Sequence, residues 1–182
     1  MDSIEGIDFT DRCVLGVNNA FCLDGVDILY FGDAKFYWWN KEEIQAFKGL
    51  KISSNQGVHH GHKTIDGERN IKIIPLGRYK GLETNPYRIC WNRSSGAAAI
   101  NVALHLGAKQ IILLGYDMRR VGERKNWKEH PRENTNPNPY SYMLVGFSQI
   151  AREIKKFKCD IINATPDSAI DVFQKRELKE IL

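Results

Sequence analysis

The sequence predicts a mixed α/β protein in three layers, with helices on both faces of a mainly parallel sheet and a long lid-like loop over one edge. Three observations predict it. Short apolar runs rich in β-branched residues alternate with amphipathic or alanine-rich segments, the habit of a chain that winds strand and helix about one sheet. Ile111 to Leu114 is an unbroken aliphatic run, which belongs to a central strand covered on both faces. The runs stop at Asn, Asp or Gly, residues that turn the chain and also stand where a parallel sheet exposes its ligand edge.

The elements follow in order. Arg12 to Phe21 and Val26 to Asp33 read as strands, each stopped by Asn or Gly-Asp. Phe36, Trp39, Ile44 and Phe47 keep helical spacing, and Gly49 is placed to end that helix in the left-handed conformation. KISSN is a short strand, the glycine-rich stretch 57–69 a loop or exposed hairpin, and Ile71 to Leu76 another strand. The stretch 77–92, with Asn-Pro and no period, is an irregular connection. Ser94 and Ser95 are N-caps for a helix over Ala97 to Leu106, which Gly107 stops before the strand QIILLG. Residues 118–140 are charged and proline-bearing without amphipathic period, and loops of that length are commonly lids or binding loops. Leu144, Phe147, Ile150, Ala151, Ile154 and Phe157 form the apolar stripe of the next helix, CDIINAT a strand, and DSAIDVF and KRELKEIL two short closing helices. Without repeat or linker, the 182 residues are expected to form one domain.

Composition narrows the function classes. A formal net charge of +4 is compatible with phosphate ligands and too small to demand nucleic acid, which makes nucleic acid an unexpected partner. No run approaches the roughly 18 apolar residues of a membrane span, and MDSIEGIDFTD is acidic where a signal peptide is basic, so the expected location is the cytoplasm. Cys13, Cys22, Cys90 and Cys159 are too widely spaced for a zinc pair or a disulfide framework and are expected to be buried thiols.

The expected ligand edge gathers Asn18 and Asn19, Asp33, Ser53 to Asn55, Tyr116 and Asp117, and Asn163 with Thr165. Each is also an ordinary turn former; their coincidence at successive strand ends is what points to a site. Ser94, Ser95 and Gly96 open the alanine-rich helix, where backbone N–H groups favour an anion unless they serve only as a cap. His130 in the long loop has an imidazole suited to general-base work near neutral pH, or is simply solvated. Arg119, Arg120, Arg124, Lys125 and Lys128 either close over a phosphorylated ligand or form a solvated loop face. His59, His60 and His62 lack a fourth ligand of the right neighbourhood, so no metal site is expected. In FYWW, two of the four rings are expected in the core, leaving Tyr37 or Trp38 to cover a ligand or a partner unless they too pack inside.

The order GVNNAF, DILYFGD, SSGAAAINVALHLGAKQIILLGYDM, WKEHP, an amphipathic helix and DIINAT resembles the sialyltransferase-like α/β proteins of phages and prophages. It is similar, more distantly, to bacterial sialyltransferases that use a CMP-sugar donor and to pterin diphosphokinase-like proteins. The resemblance covers Arg12 to about Phe173 and implies a Rossmann-like fold acting in the cytoplasm, the host's if phage-encoded. It implies nucleotide contact at Asn18, a donor-side turn at Ser95 and Gly96, a strand end at Tyr116 and Asp117 leading into the lid, and His130 as the base that deprotonates an acceptor hydroxyl. A nucleotide-sugar donor of the CMP type is the implied co-substrate, and a homo-oligomer is compatible with it. One departure stands: the family's strand with a Gly-Pro-Ser turn is missing ahead of Arg12. The alternative expectation is therefore a noncatalytic binding module with the same fold and a degenerate nucleotide pocket.

Overall fold

A computed structural model describes residues 8–56, 63–120, 122 and 139–182. It is an α/β protein with parallel strands throughout. Strands β1 (Leu15–Val17), β2 (Ile28–Asp33), β3 (Leu50–Gln56) and β4 (Ile71–Ile73) lie side by side in chain order. Strands β5 (Gln110–Leu113), β6 (Asp160–Asn163) and β7 (Gln174–Lys175) form a second parallel set, also in chain order. Register follows the apolar pattern: Leu15 stands beside Ile28, Ile28 beside Leu50, and Ile111 beside Ile161. The β2–β3 register shifts between Phe31 and Asp33, at the tip of β2.

The alternation of side chains along β2 builds the layers. Ile28 and Tyr30 pack with Ile52 against Ala98, Ala99 and Val102 of α3 (Ser95–His105). Leu29 and Phe31 point the other way, onto Ala34 and Tyr37 of α1 (Ala34–Trp39), Ile44 of α2 (Lys41–Ala46), and Ile65. Helices thus cover both faces of the first sheet, and full burial of each such side chain stabilises by about 1.5–3 kcal/mol. A further core joins Ala97 and Ile100 of α3 to Leu113, Ile161, Phe173 and Phe147 and Ile150 of α4 (Tyr140–Glu153). α3 therefore joins the core of the first sheet to this one, and its run of alanines lets it lie close to both.

The local rules that predict α3 operate as expected. Ser94 is its N-cap, the hydroxyl accepting from Ala97 N at 3.3 Å. At its end Gly107 takes φ +94°, and Ala108 N donates to Ala103 O while Gly107 N donates to Leu104 O, the Schellman arrangement. In α4 the expected stripe packs as a unit, with Phe147, Ile150 and Ile154 buried, although regular α-helix stops at Glu153 and a 3-10 turn carries Ile154–Phe157.

Several expectations are corrected. The first strand, Leu15–Val17, does end at the Asn pair, but it runs on through Gly16, and Asn18 turns left-handed at φ 52° to start a 3-10 turn over Asn18–Cys22. The helix of Phe36 to Phe47 is two helices broken at Asn40, whose side chain donates to Phe36 O. Gly49 is not left-handed; it lacks a side chain because a Cβ there would strike the Asp27 carbonyl. The fourth strand stops at Ile73, Pro75 leaving only a bridge between Leu76 and Ile89. β5 is not enclosed on both faces: it pairs with β6 among the described residues, and Ile111 and Ile112 are half-buried. The closing helices are absent, since Phe173 is drawn into the core and Gln174–Lys175 pair with β6, leaving one 3-10 turn over Leu178–Glu180. Cys13 and Cys22 are exposed, and only Cys90 and Cys159 are buried. Among the described residues no helix is long and apolar enough to cross a membrane.

Candidate functional site

Topology brings the opening of α3 to the tips of β5 and β6. α3 lies between β4 and β5 in the chain, so it ends where β5 begins and starts at the carboxyl side of the strands. Its opening turn, Ser94 to Gly96, is therefore on the same edge as the tips of β5 and β6. Side-chain bonds show how closely they meet. Tyr116, just beyond β5, lies against Gly96: its hydroxyl donates to Gly96 O at 3.1 Å, and a Cβ on Gly96 would come within 2.8 Å of its ring. Close approach, not conformational freedom, is the reason for glycine here. The ring also meets Phe147 edge-on with centroids 6.0 Å apart, and burial pushes the Tyr116 phenol pKa upward. A neutral phenol is thereby kept as a hydrogen-bond donor.

The tip of β6 is bonded into the same assembly. Tyr116 N donates to Thr165 Oγ1 at 3.1 Å, and the Ser168 hydroxyl donates to Tyr116 O. Asn163 is fully buried, receiving Thr165 N on Oδ1 and donating Nδ2 to Ile170 O. Asp117 is half-buried, and its carbonyl accepts from Ala169 N. These polar groups hold the strand tips and the α3 start together.

At the other tips, Asn18 is half-buried and its side chain makes no hydrogen bond to another described residue. Asn19 is half-buried within the 3-10 turn, and Asp33 is exposed at the N-cap position of α1 without capping it. Asn55, left-handed at φ 52°, is occupied: its amide bridges Thr64 and Asp66. The Ser54 hydroxyl pairs with the Tyr30 phenol at 3.0 Å. Of the α3 opening, the Ser94 hydroxyl is taken by the cap, whereas Ser95 and Gly96 are half-buried.

Tyr37 does not cover a ligand; it is buried, donating to Glu68 Oε2 at 2.6 Å, with its phenol pushed up to about 12 first by burial and then by that carboxylate. The ammonium groups of Lys41 and Lys63 stand 4.8 and 4.1 Å from the centroid of the Trp38 ring. His130, Arg124, Lys125, Lys128 and the His59, His60, His62 group lie outside the described residues. Arg119 is within them, paired with Asp167 at 3.6 Å and bonded to its carbonyl. Among the described residues no cluster of His, Cys, Asp or Glu could hold a metal ion. Burial pushes the Cys90 thiol up to about 11, so it is protonated at neutral pH and no nucleophile. A polar depression lined by Asp8, Thr10, Asp11, Arg12 and Leu182 lies just ahead of β1, at the strand's opposite end.

Sequence reasoning missed Ser168, Asn92, Asn101 and Glu153, which bond backbone around the site. Glu153 is buried on α4, where Arg78, Leu82 N and the Gln149 amide converge on its carboxylate. Burial alone would raise its carboxyl pKa, but hydrogen bonds from Gln149, Leu82 N and Arg78 outweigh it and hold the pKa below the ordinary range. Asn101 accepts both Glu83 N and Cys90 N on Oδ1 from the middle of α3. The available signal was a polar residue interrupting an apolar helical face. No protein-family model matches the chain, and no curated protein or solved structure matches it either.

Proposed function

We propose that this protein binds a nucleotide or nucleotide-sugar at the carboxyl ends of its strands and is glycosyltransferase-like, of the sialyltransferase-like kind carried by phages and prophages. One observation carries the reading. Left-handed backbone at non-glycine residues is costly, and it collects at functional sites. Among the described residues, seven non-glycine positions have positive φ, and Asn18, Asn55, Asn92, Arg93 and Met118 stand at strand tips or just ahead of α3. The α3 opening adds the N–H groups of Ser95 and Gly96, suited to a phosphate oxygen, and Asn18 supplies a side-chain amide.

In the enzyme version His130 accepts the proton of an acceptor hydroxyl as that oxygen attacks the donor sugar, and the nucleotide leaves with the bonding electrons on its phosphate. Arg119, Arg120 and the other basic residues of 118–140 offset the phosphate charge. Calorimetric titration with CMP, other nucleotides and CMP-sugars tests the binding claim. Saturable binding of a nucleotide is expected, with sugar transfer abolished in His130→Ala and binding retained. Absence of binding by the whole panel overturns the reading.

The second reading is a noncatalytic module with a degenerate pocket. It draws support from the fact that so many tip residues are engaged in the protein's own hydrogen bonds. Under it, nucleotide binds without any transfer, and His130→Ala changes nothing.

A further inference from the structure

Beside the start of α3 the Arg93 side chain stands in a cluster of aromatic rings. The Arg93 guanidinium stands 5.3 Å from the Tyr79 ring centroid, 5.8 Å from Trp91 and 5.2 Å from Tyr142, within the roughly 6 Å range of cation–π attraction. Its Nε donates to the Tyr79 hydroxyl. Tyr79 and Trp91 meet edge-on at 5.1 Å, and Lys80 stands 5.8 Å from the Tyr79 ring. Tyr79 is 45% exposed and Tyr142 57% exposed, unusual for tyrosines gathered around one cation.

Charge decides what this surface accepts. Arg78, Arg119 and Arg176 each face a carboxylate, but among the described residues neither Arg93 nor Lys80 does. Among the described residues the Arg93 Nη groups meet no acceptor, so a fork suited to two oxygens of one anion is presented among ring faces. The backbone holds it there. Asn92 and Arg93 are both left-handed, at φ 54° and 55°. Asn92 is buried and bonded to the loop that carries Tyr79: Asn92 N donates to Tyr79 O, Gly81 N to its Oδ1, and its Nδ2 to Gly81 O. The strained pair is thereby tied down, and the rings stand ready before any ligand arrives.

We infer that Arg93, set among Tyr79, Trp91 and Tyr142, is a binding site for an anionic oxygen group, phosphate or carboxylate, on a small ring-bearing ligand whose flat face lies against the exposed tyrosines. The inference extends the nucleotide reading with a second contact region and rests on that reading only for the ligand's class.

The test is titration of the full chain with CMP, inorganic phosphate, glucuronate and uncharged cytidine, followed by tryptophan fluorescence, with Trp91→Phe assigning the signal. CMP or glucuronate is expected to perturb Trp91, with cytidine at least tenfold weaker, and Arg93→Gln is expected to weaken the anion at least tenfold. Arg93→Lys, keeping charge without the fork, should fall between. Response to CMP and phosphate identifies a phosphate ligand, response to glucuronate a carboxylate. Arg93-dependent binding of phosphate or glucuronate without any CMP binding upholds the inference while the nucleotide reading falls. Binding of CMP that Arg93→Gln leaves unchanged overturns the inference while the nucleotide reading stands. An absence of response to every anion also overturns it.

Discussion

At the tips of β5 and β6 the polar groups are tied to other parts of the protein, whereas at the tip of β1 the Asn18 amide has no hydrogen-bond partner among the described residues. Both tips read alike in the sequence, as Asn, Asp, Tyr or Gly after an apolar run. The difference teaches that polarity at a strand end has two uses. On the β5–β6 side it fastens the α3 start in place, with Tyr116 bonded to Gly96, Thr165 and Ser168. On the β1 side the Asn18 amide takes no part in the hydrogen bonds among the described residues.

The largest effect that would break this comparison is expected at Glu153, the buried anchor of the braced side. Glu153→Ala removes the acceptor of buried Leu82 N, of the Gln149 amide and of the half-exposed Arg78, and should lower stability by about 4 kcal/mol in urea unfolding, the sum of one buried donor and two weaker ones left unsatisfied. Because the folded carboxyl pKa is lowered, its contribution is complete above the unfolded value of about 4.3 and is lost as the pH falls through the folded value. Wild-type stability should therefore drop more steeply than that of Glu153→Gln between roughly pH 5 and pH 3. Equal slopes would remove the carboxylate's assigned role.

Tyr116→Ala comes next, with about 3 kcal/mol expected from the lost ring against Gly96 and Phe147. A smaller loss, about 1 kcal/mol, is expected for Ser94→Ala, which removes the α3 cap. Smallest in stability is Asn18→Gly, which accepts φ 52° without strain and should stay within about 0.5 kcal/mol of the wild type. Its nucleotide affinity should nevertheless fall about tenfold, a loss of about 1.4 kcal/mol. A large stability loss at Asn18 with unchanged affinity would reverse the two sides.

What the sequence made legible is what near-neighbour chemistry decides. Ser94, the alanines and Gly107 specify α3 by capping and propensity, and α4's stripe specifies its buried face. Parallel strands follow from the aliphatic runs and the helices between them. What could not be read depends on distant partners. Tyr37 looks like a surface aromatic until Glu68, far along the chain, takes its hydroxyl. The tail 166–182 has helical composition, yet Phe173 and the pairing of β7 with β6 override it. Arg93 carried no signal at all, because its rings come from three separate segments.

The most direct measurement of the shared site is amide chemical-shift mapping of the full chain titrated with CMP. Shifts concentrated at Asn18, Ser95 and Gly96, with little change around Asp8 to Arg12, are the predicted result. Saturating shifts confined to the 8–12 and 182 region, or none at the strand tips, would contradict a nucleotide site on that edge.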